Sequence, residues 1–184
     1  MFTPTDLQRL DQHTAAVSCS IEYPNSWYLD KARERDVIFR DWVVLLINPA
    51  YLWQDGALFC PRNAAAQFGR AVQPGLAGFQ QLYAPTVVGA YGKTFRRTAV
   101  HLACCPTDEQ AEVLIPDAIQ WKDVFGLVVV DKQQASREHV RLEMLQVALE
   151  ELQIVVAPAL YDKYALSNYI RSGRRPPAVV WTPE

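Results

Sequence analysis

What this sequence lacks narrows its reading before any motif is sought. No run approaches the roughly 18 consecutive apolar residues that a membrane-spanning helix needs. Met1 to Leu10 is polar, without the basic-then-apolar order of an export signal, so a cytoplasmic location with no membrane partner is the expectation. Glycine and proline are sparse, 8 and 12 of 184 residues, which excludes a low-complexity chain. The four cysteines (Cys19, Cys60, Cys104, Cys105) contain no CxxC pair, and a vicinal Cys104–Cys105 disulfide is a poor candidate. Reduced thiols are therefore expected. A zinc site built from His101, Cys104 and Cys105 is weighed against buried thiols, and the scattered histidines favour the thiols, so no metal is expected. Neither GxGxxG nor a Walker loop occurs, so the usual phosphate cradles are missing. GxSxG and HExxH are absent too.

What is present is ordinary in bulk and uneven in distribution. Half the residues are apolar and 21% are charged, as in a folded soluble protein. The length suggests a single domain over residues 1–184. The cations are mainly arginine, whose planar fork fits phosphate in two places and stacks on bases. From Gly56 to Thr107 there is no acidic residue. That stretch holds Arg62, Arg70, Lys93, Arg96 and Arg97, interleaved with Phe68, Phe79, Tyr83, Tyr91 and Phe95. A single-stranded nucleic-acid groove needs this combination, with cations along the backbone and rings under the bases. Aromatics serving the core beside a solvated loop would look the same. Arg171, Arg174 and Arg175 form a second cluster that reads equally well as a solvated tail.

Periodicity predicts a helix over 27–39 capped by Asn25 or Ser26, and a buried strand from Trp42 to Asn48. Short helices follow over Pro61–Phe68 and Gln73–Tyr83, then a loop over Pro85–Arg97. Strands are predicted at Ala111–Pro116 and Gly126–Val130, and an amphipathic helix over 134–151. Late strands at Ile154–Val156 and Ala178–Trp181 flank a helix near Leu160–Ile170. Strands mixed with helices without regular alternation indicate an α+β protein rather than a doubly wound sheet.

Glu112 is the residue whose chemistry stands out. It sits at the head of an apolar strand, Ala111 to Pro116, where a carboxylate costs solvation unless it has a partner or a task. Period-2 alternation offers a plainer account, with Glu112 on a polar face and Val113 and Ile115 opposite.

The segment Glu109 to Val130 resembles the signature of the DarT family, NAD-dependent ADP-ribosyltransferases that modify bases of single-stranded DNA. Gln110, Ala111, Glu112, Val113, Leu114 and Ile115 follow its Q-A-E-(F/V)-L-V strand in order. Upstream, an Arg-bearing segment precedes Asp41-Trp42-Val43 and Asn48-Pro49, as in a branch of that family. The likeness covers roughly Ser18 to Val130 and is looser beyond. It implies an ADP-ribosyltransferase-like fold, a central mixed or antiparallel split β-sheet flanked by helices. It implies Glu112 as the catalytic glutamate and Arg33 as the essential arginine, with Arg35 competing for that role. The implied dinucleotide contacts are Arg33, Arg35, Asn48 and Tyr51. The acid-free stretch becomes the DNA-facing region, with contacts at Arg62, Lys93, Arg96 and Arg97. NAD is the implied substrate, single-stranded DNA the partner, and a toxin neutralised by a macrodomain antitoxin the implied role.

One departure from the family pattern concerns the amino end. Members usually begin with a strand bearing an H-x-T motif whose His helps hold the nicotinamide riboside. Here Met1-Phe2-Thr3 keeps only Phe-Thr, and His13-Thr14 lies in another context; two explanations stand open, a truncated or split form of the family's chain, or a different residue, such as His101 or Tyr51, completing the NAD pocket. That departure keeps two alternatives open: a non-catalytic module that binds nucleic acid, and a transferase directed at protein.

Overall fold

The structure, a computed structural model, describes residues 9–35, 38, 41–149 and 152–183. The chain divides into two compact units: Met1–Asn25, Ala50–Ile119 and Arg171–Gly173 form the first, and Ser26–Pro49, Gln120–Ile170 and Arg174–Glu184 the second.

The first unit is built on an antiparallel sheet. Its strands are β1 (Ala16–Cys19), β3 (Leu58–Cys60), β4 (Gln73–Pro74) and β7 (Glu112–Pro116), in the order β1-β7-β3-β4. β7 is central, and alternation gives it two buried faces. Val113 and Ile115 join Phe59, Ala57, Leu82 and Ala111 in one cluster, with Phe79 and Tyr83 packed against it. Leu114 lies on the other face with Cys60 and Ala64. Pairing fixes the register: Cys60 stands opposite Glu112, Leu58 opposite Leu114, and Ser18 opposite Leu114 on the far side. A short helix, α2 (Gly75–Gln81), and a two-stranded hairpin of β5 (Thr86–Val88) and β6 (Thr94–Arg96) complete the unit.

The second unit holds a mixed sheet. β2 (Val44–Ile47), β8 (Val124–Val129), β9 (Gln153–Val156) and β10 (Val179–Val180) run in the order β10-β9-β8-β2, with only β8 and β9 parallel. That parallel pair is joined through α3 (Lys132–Met144), since parallel neighbours need a crossover. Asp131 caps α3 by accepting from the Gln134 amide at 2.7 Å. The buried Gln134 side chain then accepts from Val130 N at 3.1 Å and donates to the Trp42 carbonyl at 2.9 Å. α1 (Ser26–Arg35) and α4 (Lys163–Arg171) are the remaining helices, α4 being capped by Asp162.

The α+β class holds, and the predicted strands fall within two residues of their observed bounds. Differences lie where local pattern yields to tertiary bonds. No helix forms over Pro61–Phe68: Gln67 and Phe68 both sit at φ 57°, beyond helical backbone, and Gly69 follows at φ 76°. Gln73–Pro74 pairs as β4, so the next helix starts at Gly75. The predicted loop Pro85–Arg97 is the β5–β6 hairpin, closed by Gly89 N donating to Lys93 O at 2.8 Å. α3 stops at Met144, and Val140, Met144 and Leu145 of its predicted apolar face are exposed. The helix predicted over 27–39 is seen to Arg35, and residues 36, 37 and 39 lie outside the described ones. Ser26 does not cap it, because its buried Oγ makes no hydrogen bond. Strand β1, absent from the sequence reading, is the addition that matters for the site. Residues 1–8, including the Phe-Thr echo of the H-x-T motif, lie outside the described residues.

Candidate active site

Glu112 opens β7 on the face it shares with Leu114 and Cys60. Alternation does put Val113 and Ile115 opposite it, yet its own face is mostly buried: Leu114, Cys60 and Ala64 are all about 1% exposed, while Glu112 is half-buried and Ser18 exposed at its edge. Three donors meet the carboxylate. Oε1 accepts from Asn63 Nδ2 at 2.8 Å and from the Ala64 amide at 3.2 Å. Oε2 accepts from the Ser18 hydroxyl at 2.7 Å. Burial pushes the Glu112 carboxyl above the ordinary glutamate range, while the Ser18 and Ala64 bonds and the Arg9 guanidinium pull it back.

The donors arrive on two segments, each fixed for its own reason. Ser18 is brought by β1, whose pairing with β7 is extended by Asp117 N donating to Ala15 O at 2.9 Å. Ahead of β1, the Arg9 fork grips both oxygens of Asp11 at 3.2 and 2.9 Å and donates to the carbonyls of His13 and Ala16. Asn63 and Ala64 sit in the turn that replaces the predicted helix. That turn packs closely on the same segment: a Cβ at Gly69 would stand 2.5 Å from the Asp11 carbonyl oxygen. Asn63 spends its side chain on Glu112 and its carbonyl on the Ala66 amide at 3.1 Å, competition that ends helices at asparagine.

An ionised carboxylate offers about four lone-pair positions. Asn63, Ala64 and Ser18 occupy three, two on Oε1 and one on Oε2. Among the described residues, no second donor meets Oε2. A carboxylate held in this way, when ionised, is suited to bind a hydroxyl group or to face a developing cation.

The other predicted residues fall in several settings. Arg62 is buried. Its guanidinium donates to Val88 O and Gln67 Oε1, both at 2.9 Å, which ties the Asn63 turn to β5. Arg97 donates to the carbonyls of Cys105, Leu102 and Ala103 at 2.7, 3.2 and 2.9 Å and lies over the Tyr83 ring. It clamps the loop after β6. Lys93 stands 5.1 Å above the Phe95 ring, and Arg96 is exposed on β6. Tyr51 packs on the core cluster of the first unit. His101 is buried, with Nε2 3.1 Å from the Pro106 carbonyl. Burial lowers its pKa, and the neutral ring donates to that carbonyl.

Arg33, Arg35 and Asn48 belong to the second unit. Arg33 lies 5.3 Å over the Tyr161 ring and donates to the Tyr161 carbonyl at 3.3 Å, using one of its five N–H groups. Arg35 ends α1 and is exposed. The Asn48 amide donates to Asp123 O at 2.9 Å. Among the described residues, no three His, Cys, Asp or Glu side chains are grouped to hold a metal ion. No described helix is long and apolar enough to cross a membrane.

Sequence reasoning missed Ser18, Asn63 and Ala64. None has a spacing signal toward Glu112, lying 94, 49 and 48 residues away. Arg171, read as part of a basic cluster or solvated tail, pairs in the first unit with Glu109 at 3.1 Å and lies over Phe95.

Comparison with known proteins gives one result for the chain. Residues 22–164 match a family model described as ssDNA thymidine ADP-ribosyltransferase, DarT. No curated protein matches the chain.

Proposed function

We propose, from the premise that the chain belongs to the DarT family, that it transfers ADP-ribose from NAD to a base of single-stranded DNA, with Glu112 as the catalytic carboxylate. The family is one of ADP-ribosyltransferases acting on single-stranded DNA, so an enzyme is the supported reading. The observation that carries the residue assignment is the Glu112 carboxylate, which among the described residues is held by two donors on Oε1 and one on Oε2.

The chemistry follows from that position. As the bond between nicotinamide and ribose breaks, positive charge develops on the sugar, much as in glycoside hydrolysis. A carboxylate fixed beforehand stabilises that charge without reorganising, and its Oε2 accepts a ribose hydroxyl. The glycosidic carbon gains a bond to the acceptor base as nicotinamide departs with the bonding pair, and the base gives up a proton. Arg33 is assigned to the pyrophosphate of NAD by the family likeness, as a bidentate donor. Thymine, the acceptor in the family description, is the first base to test. A toxin role through blocked replication, a macrodomain antitoxin that removes the ADP-ribose, a cytoplasmic location and the ADP-ribosyltransferase-like fold are parts of the same reading.

The test is direct. The protein is incubated with NAD and a mixed-sequence single-stranded oligonucleotide, and the DNA is weighed by mass spectrometry. A gain of one ADP-ribose is expected, lost in Glu112→Ala with the fold retained. DNA of unchanged mass, under conditions where NAD binds, sinks the reading.

A further inference from the structure

The first unit carries an aromatic side chain that its own packing does not use. Tyr91 sits at the tip of the β5–β6 hairpin with relative exposure of 106%, as open as in an extended peptide. Its backbone is left-handed, at φ 56° and ψ 25°. A residue with a Cβ is held there at a cost that Gly or Asn would avoid. The strain is not slack in the loop. Gly89 N donates to Lys93 O at 2.8 Å across the hairpin, and Arg97 N donates to Pro85 O at 2.9 Å at its base. The Val88 carbonyl accepts from the buried Arg62. Gly89 itself is so tightly seated that a Cβ there would meet Phe95 at 2.5 Å and Asp108 Oδ2 at 2.7 Å. The hairpin thus holds a bare phenol ring forward on a braced support.

The charged residues of the hairpin have one sign. Lys93 follows the tip, with Nζ 5.1 Å over the Phe95 ring, and Arg96 stands at the base of the hairpin opposite Thr86; both lie inside the stretch from Gly56 to Thr107 that contains no acid. The acids just beyond are turned inward: Asp108 is 1% exposed, and Glu109 is paired with Arg171. We propose that the β5–β6 hairpin is a nucleic-acid contact in which Tyr91 stacks on one unpaired base while Lys93 and Arg96 hold the adjoining phosphates. An exposed ring at the tip and cations along the same hairpin match the chemistry of a single strand, with a stacking face for the base and charge for the backbone. The hairpin also bears on Glu112, because the Arg62 that grips Val88 immediately precedes the Asn63 and Ala64 donors. This proposal rests on the DNA-directed reading above for its partner, though not on transfer taking place.

The test measures binding separately from transfer. A fluorescent oligonucleotide of about ten nucleotides is titrated with protein, and a series of oligonucleotides carries an abasic site at each position in turn. In the native protein, one abasic position should weaken binding about 5- to 100-fold, the range for loss of a base–aromatic stack. Tyr91→Ala should weaken binding to the intact strand by a similar factor and be indifferent to that abasic position. Tyr91→Asn, which tolerates the left-handed backbone, should behave like the alanine variant while melting no lower than the native protein. Arg96→Gln should flatten the slope of log affinity against log salt by about 0.7, the share of one phosphate on a single strand. Native affinity in Tyr91→Ala, retention of the full position-specific loss, or no binding of any single strand by the native protein overturns the proposal. Position-specific binding without transfer instead fails the catalytic reading and leaves the hairpin contact standing.

Discussion

Two carboxylates of the first unit, four residues apart, are treated in opposite ways. Glu112, at the head of β7, meets three hydrogen-bond donors. Asp108, in the turn leading to β7, meets one, the Gln110 amide on Oδ1 at 3.0 Å, and its Oδ2 is buried with no partner. Burial pushes both upward in pKa, Asp108 from 3.8 to about 6, but only at Glu112 do several donors meet both oxygens of the anion. The difference teaches that burial alone marks neither as functional. A carboxylate braced as an anion can act on a substrate, whereas one left half-satisfied is a cost to the fold.

The largest effect expected from this contrast is on transfer. Glu112→Gln keeps the shape and removes the charge, and should lower kcat about 10²- to 10³-fold, the range for losing a pre-aimed electrostatic group. Asp108→Asn should leave kcat within about threefold. If the two exchange places, with Asp108→Asn inactive, the assignment moves to the turn. A smaller effect belongs to the donors. Ser18→Ala and Asn63→Ala each remove a bond to the anion, so each should raise the Glu112 pKa further. In a pH–rate profile, transfer rises as Glu112 ionises, and in both variants that rise should shift to higher pH. A kcat fall of about tenfold near the midpoint should accompany it.

How much of this was legible in the sequence follows from the range of the interactions. β7 reads directly, because the run Val113-Leu114-Ile115 declares a strand within a few residues. Glu112 reads for the same reason, as a charge in apolar company. Its support does not, because β1 is four residues long and half-buried, with no apolar run of its own, and exists through its pairing with β7. The Asn63 turn fails for the opposite reason. Its local pattern favours a helix after Pro61, and the bonds from Asn63 and Ala64 to Glu112 override it. Arg62 and Arg97 look like phosphate contacts in a list of cations, yet Arg62 bonds the Val88 carbonyl and the Gln67 side chain, and Arg97 bonds backbone carbonyls. Arg96, exposed at the end of β6, is the cation proposed as a phosphate contact. Composition shows that cations are present; only packing shows which are committed.

Asp108 should declare itself in stability rather than rate. Its folded pKa lies above its unfolded value, so the folded state holds more protons between pH 3.8 and about 6. Stability is therefore highest below that window and is lost as pH rises through it. Asp108→Asn keeps the acceptor for Gln110 N and removes the buried charge. At pH 7 it should gain about 1–2 kcal/mol by urea unfolding, with the gain vanishing near pH 4. A destabilised variant at pH 7 would mean that the orphan oxygen has a partner after all and that the contrast with Glu112 is one of degree.

The smallest effect sharpens the contrast from outside the buried sites. Asp41, in the second unit, accepts from Arg137 at 3.3 and 3.0 Å and from Arg141 at 3.0 Å, near solvent. The Arg137 bonds, with Arg141 adding to them, hold its carboxyl below the ordinary aspartate range. The sign is opposite to that of Asp108: the stabilisation is present above the unfolded pKa and is lost as pH falls through the lower folded one. Water screens the pair, so Asp41→Asn should cost no more than about 1 kcal/mol at low salt and less at high salt. Opposite pH slopes for Asp41→Asn and Asp108→Asn, measured side by side, would separate a carboxylate that its partners hold from one that burial alone disturbs. Matching slopes would show that the one bond to Asp108 holds its anion as firmly as two arginines hold Asp41.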